Sequence, residues 1–179
     1  MRPVLLTALL AVSSLACATD VPTPTTLKPI TVFQVRGKDV TVYHVKDVTV
    51  GDRSEEDLVA SVAPIMREYS KNTEHETCTQ ICKTTDGVYG ASILTIESHI
   101  ACPITNACPE GMDPTNVDVH SHIHVSRYLP NPVDRLFLIQ RYDLRQKAST
   151  DPEEFSEKDT NSTKAYLVTP TKVRMFTGR

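Results

Sequence analysis

A chain of 179 residues has room for one domain of ordinary size. Its 40% hydrophobic and 23% charged residues are typical of a globular protein that buries a core. A formal net charge of −3 offers no positive field for a phosphate backbone, so nucleic acid is set aside as a partner.

The chain opens with MRPVLLTALLAVSSLACATD: one arginine, an apolar run from Val4 to Val12, then small residues. That run is too short to cross a bilayer, and the pattern is that of a secretory signal peptide over residues 1–18. Ala16-Cys17-Ala18 fits cleavage before Thr19, whereas SLAC resembles a bacterial lipobox that would make Cys17 a lipidated first residue. Such an anchor would be the chain's one attachment to a membrane. Residues 19–30 form a linker rich in proline and threonine. The domain itself is expected over residues 31–179, with an insertion at about 125–155.

ITVFQVRGKDVTVYHVKDVTV, dense in β-branched and aromatic residues around Gly37-Lys38-Asp39, reads as one or two strands. In SEEDLVASVAPIMREYSKN, Ser54 and Asp57 resemble a capping box. Leu58, Val62, Ile65, Met66 and Tyr69 recur at helical spacing, and Pro64 is expected to bend the helix. ETCTQICKTTDGVYGASILTI reads as a hairpin turning at Asp86-Gly87. After a loop rich in cysteine and proline, NVDVHSHIHVS reads as another strand, and a helix is expected from about Val133. KAYLVTPTKVRMFTG reads as two short strands about a Thr-Pro-Thr turn. The fold class is α/β, with a central mixed sheet flanked by helices.

With Cys17 removed or lipidated, Cys78, Cys82, Cys102 and Cys108 remain. An even number in an exported chain favours two disulfides, with a four-cysteine zinc site as the alternative. CPITNAC could close on itself. On a strand, however, Cys78 and Cys82 stand about 13 Å apart at roughly 3.3 Å per residue. That is too far to bond each other, so each could reach a loop cysteine instead.

Chemistry concentrates at His120, His122 and His124. Alternate residues of a strand share a face, so His120 and His122 project side by side within reach of one ion. Neutral imidazole is a favoured zinc ligand, and hydrolytic zinc needs three protein ligands plus a separate base. His124 shares that face and permits an all-histidine site. His99, beside the cysteine loop, reads as a surface residue.

Glu76, the His120-Ser121-His122 step and FSEKD (155–159), in that order, resemble the JAB/MPN metallopeptidase superfamily. The likeness is narrower still to a bacterial branch of unknown function found in secreted and polymorphic-toxin proteins. TDGVYG and AYLVTP match that branch's hairpin and closing strand, and the likeness spans roughly residues 54–177. It implies a cytidine-deaminase-like architecture and one Zn2+ held by His120, His122 and Asp159. It also implies Glu76 as general base and Ser156 as hydrogen-bond donor to the oxyanion of an attacked amide. Asp134, with Asn131 in the serine's place, is a rival third ligand, and Glu74 a rival base. The substrate implied is a peptide or protein amide, or an isopeptide. The other reading is the same fold without turnover, as an envelope binding or assembly protein or a toxin-associated partner.

Overall fold

The computed structural model describes residues 27–51, 53–103, 105–122, 130–138, 153–155 and 163–178. The expectations resting on Cys17, His124, Ser156 and Asp159 lie outside these residues, as does the signal peptide.

The first strand-rich stretch folds as two strands, β1 (Lys28–Val35) and β2 (Lys38–Thr49). Arg36 and Gly37 between them both have positive φ, 52° and 71°, as the twist-matched two-residue hairpin turn requires. Helix α1 (Glu55–Thr73) starts on the expected box, with the Ser54 side chain accepting from the Asp57 N–H and Asp57 accepting from the Ser54 N–H. Glu55, Glu56 and Asp57 place negative charge at its positive end. It stops at Glu74, left-handed at φ 59°, whose N–H closes on the Ser70 carbonyl.

Strand β3 (Cys78–Lys83) and β4 (Tyr89–Thr95) form the expected hairpin, and Gly87 supplies the positive φ of the turn. β5 (Asp113–Ser121), α2 (Asp134–Phe137), β6 (Lys164–Val168) and β7 (Val173–Thr177) complete the described elements. The seven strands pair into one sheet of order β1-β2-β4-β3-β5-β6-β7. The β5–β6 pair is parallel and the other neighbours antiparallel, so the sheet is mixed.

The sheet has two unlike faces. On one, Leu58, Val62, Met66 and Tyr69 of α1 pack on Ile81, Ile93, Val119 and Val168. Ion pairing fixes this helix: Glu55 accepts from Lys164 Nζ at 2.6 Å and from the Tyr166 hydroxyl at 2.8 Å. Further along, Arg67 Nε donates to the Thr169 carbonyl at 2.7 Å.

The other face departs from the expected flanking helix. Its cluster of Val40, Val42, Cys78, Leu94 and Ile96 is covered by the cysteine loop and by Val133, Leu136 and Phe137. The helix expected from Val133 is a single turn, because the backbone goes extended at Leu138. Cys78 bonds Cys102 and Cys82 bonds Cys108, so neither the self-closed CPITNAC loop nor a four-cysteine zinc site forms. Two disulfides fit an oxidising, exported location. Among the described residues, no helix is long and apolar enough to cross a membrane.

The bridges close loops of 24 and 26 residues. Paired Cys78→Ala and Cys102→Ala substitutions are expected to destabilise the fold by about 2–4 kcal/mol in urea unfolding. Peptide mapping without reductant should recover the Cys78–Cys102 and Cys82–Cys108 fragments. Recovery of a Cys102–Cys108 fragment would contradict this pairing.

Candidate functional site

Of the candidate residues, His120, His122 and Glu76 lie at one end of the sheet, where β5 finishes and β3 begins. Ser121 faces α1: its hydroxyl lies 3.1 Å from the Ser70 hydroxyl and 2.8 Å from that of Thr77. By alternation His120 points to the opposite face, level with Cys78 in the β3–β5 register. The Ser121 N–H donates to the Thr77 carbonyl at 2.8 Å, and two more steps from the His120–Cys78 pair bring His122 level with Glu76. The His122 N–H is held by the Val168 carbonyl at 3.0 Å.

Glu76 is 7% exposed and its main chain is fixed at both ends. Its N–H donates to the Ser98 carbonyl at 2.8 Å, and its carbonyl accepts from Thr95 Oγ1 at 2.9 Å. Glu74 does not share a strand face with it, as the extended reading of that segment required. The chain is left-handed at Glu74, which serves as the helix cap. A cleft of about 280 Å³ opens beyond the strand end, bordered by Arg67, Lys71, Glu74, Ser121, His122 and Val168.

A second cluster involves Asp134. Its side chain is fully buried, and its two oxygens accept four hydrogen bonds. Oδ1 takes Ser98 Oγ at 2.7 Å and the His99 N–H at 2.9 Å. Oδ2 takes His99 Nδ1 at 2.7 Å and the Asn131 N–H at 2.9 Å. Asn131, considered in the serine's place, instead accepts from the Asp134 N–H and donates to the Glu97 carbonyl. Three of these four bonds come from Ser98 and His99, so Asp134 chiefly holds the segment that carries His99. His99 is not the surface residue its setting implied, for its side chain is only 16% exposed. Its ring meets that of His75 edge-on, with centres 5.0 Å apart.

Charge distributes unevenly over this cluster. Burial pushes the His75 ring down to about 4, and the neighbouring His99 adds to the effect. Its hydrogen bond to the Asp134 carboxylate raises His99 above the usual imidazole value, against its burial. Burial opposes ionisation of Asp134, but the bonds from His99, Ser98 and the backbone outweigh it and hold the carboxyl below its ordinary range. Nothing local in the sequence marks this contact between positions 35 apart.

A larger cleft, about 550 Å³, lies between β1–β2 and the cysteine loop. Asp47 Oδ1 there accepts from Ser92 Oγ at 2.6 Å and lies 2.8 Å from His44 Nε2. A hydroxyl nucleophile needs the imidazole between itself and the carboxylate. Here the carboxylate stands in the middle, so Ser92 has no base.

Among the described residues, no three His, Cys, Asp or Glu side chains converge as a metal-holding group. Searches against protein families, curated proteins and solved structures find no match to this chain.

The two imidazoles impose opposite pH dependence. His99 has a raised folded pKa, so its contribution to stability is complete below about 6.5, the unfolded value, and fades as pH rises through the folded value. His75 has a lowered one, so its neutral form supports the fold above about 6.5, and that support is lost as pH falls towards 4. NMR titration should find His99 above and His75 well below the ordinary value, with Asp134→Asn lowering His99. Coincident titration of the two rings would contradict the cluster.

Proposed function

We propose that this chain is an exported zinc-dependent hydrolase of amide bonds, in a peptide, a protein or an isopeptide linkage, built on a JAB/MPN-like fold. The observation that carries the reading is the shared sheet end, where His120 and His122 flank Ser121, the last residue of β5, and Glu76 lies two residues before β3. Two imidazoles at i and i+2, with a carboxylate at the same sheet end, are the donor types such a site uses.

In this reading His120 and His122 hold one Zn2+ through neutral rings, and Asp159 is the third ligand. The ion would lower the pKa of a water towards neutrality. Glu76 takes the proton from the attacking water and returns it to the leaving amine. Its main chain is fixed by the Ser98 carbonyl and Thr95 Oγ1, which sets where that side chain starts. Ser156 donates a hydrogen bond to the oxyanion that develops on the substrate carbonyl. The cleft bordered by His122 gives a peptide a path to this end of the sheet. A signal peptide cleaved before Thr19, or an anchor on Cys17, would deliver the domain to a bacterial envelope, to the periplasm or outside the cell. Neither nucleic acid nor a bilayer, beyond that anchor, is a partner.

A second reading is a binding or assembly protein that keeps the fold without turnover. It fits the long gap in the sequence between His122 and Ser156.

Zinc content separates the two. His120→Ala and His122→Ala should each remove one zinc equivalent from the purified mature chain. Glu76→Gln should keep that zinc and lower peptide hydrolysis by about 100-fold or more, the scale of general-base catalysis. An unchanged zinc content in both histidine variants would favour the binding reading.

A further inference from the structure

A separate pair of imidazoles has the layout of a cation site. With zinc–nitrogen bonds of about 2.0–2.1 Å, and ring centres about 1.1 Å beyond each nitrogen, two imidazoles on one tetrahedral ion have centres about 5 Å apart. The His75 and His99 rings are 5.0 Å apart. We propose that His75 and His99 together bind a divalent transition-metal ion of the zinc class, with Asp134 as the outer carboxylate that orients His99.

Three further features fit. Asp134 bonds His99 Nδ1 at 2.7 Å, which fixes the ring and directs its Nε2 as the donor. Carboxylate–imidazole–metal relays are built this way, and this carboxylate is itself locked by Ser98 Oγ and two backbone N–H groups. On the other ring, His75 Nδ1 is buried yet makes no hydrogen bond. A buried polar atom of that kind calls for an explanation, and a bound ion supplies one. Burial also keeps His75 neutral, the form that binds metal.

The pair comes from rigid neighbours. His75 follows the α1 cap, and its own N–H is held by Thr73 Oγ1 at 3.1 Å. His99 sits in the segment that the Cys78–Cys102 bridge ties to β3. Two protein ligands leave the remaining positions to water. Glu74 and Glu76 lie near enough for their charge to act on these rings, which favours a cation over an anion. The site uses none of the ligands assigned above to the hydrolytic zinc, so each can stand without the other.

The test is calorimetric titration of zinc chloride into the oxidised mature chain carrying both His120→Ala and His122→Ala. One equivalent should still bind. Adding His99→Ala or His75→Ala should weaken that binding at least 100-fold, and Asp134→Asn should weaken it 10- to 100-fold. If Asp134→Asn fails to fold, His75→Ala still decides, since that ring shares none of the bonds of Asp134. No zinc binding by the double variant would overturn the site, as would binding that neither His75→Ala nor His99→Ala changes.

Discussion

The rest of the structure depends on how two cystines hold a loop against the middle strand. β3 is the fourth of seven strands, with α1 on one side and the 101–108 loop on the other. Cys78 and Cys82 point to the loop side, four residues apart, and each reaches its own partner there. A loop of this composition could not cover a sheet face by apolar packing alone. Tethered twice, it shields Leu94 and Ile96 from water and completes a small second core.

The same tether shapes the chemistry. Ser98 and His99 lead into the loop and are brought against Asp134, which closes that face from the far side of the chain. The burial of an ionised carboxylate is costly unless its oxygens are fully occupied, and here all of its acceptor sites are taken. On the opposite face, the hydroxyls of Ser70, Thr77 and Ser121 form a buried polar contact between α1 and the strand ends. It sets the depth at which His122 and Glu76 emerge. The candidate residues thus sit where covalent and hydrogen-bond constraints on the two faces meet.

Local features of the sequence foretold local structure. The capping box at Ser54 and the spacing of Leu58, Val62, Met66 and Tyr69 specify α1, because the helix period and its first-turn hydrogen bonds are encoded within a few residues. Asp86-Gly87 marks its turn for the same reason. Strand geometry placed Cys78 and Cys82 beyond each other's reach, which left the loop cysteines as partners. What could not be read depended on distant contacts. The one-turn α2 stops where the backbone goes extended at Leu138, and its Leu136 and Phe137 share the second face with the cystine loop. The level at which Glu76 meets His122 depends on strand register, and the bond between His99 and Asp134 depends on tertiary closure. His120 was legible as a strand residue, while His122 follows the last residue of β5; Ser156, Asp159 and His124 fall outside the described residues.

The bridges also interleave: Cys82 lies inside the loop closed by Cys78–Cys102, and Cys102 lies inside the one closed by Cys82–Cys108. A chain emerging N-terminus first into an oxidising space presents Cys78 and Cys82 together before either proper partner has arrived. Oxidation in order of appearance would join nearest neighbours, and neither product occurs in the folded protein. Maturation therefore needs a route that withholds the first two thiols or reshuffles early bridges by thiolate attack. The host compartment must either oxidise these thiols only as the fold brings them together or isomerise the bridges that form first.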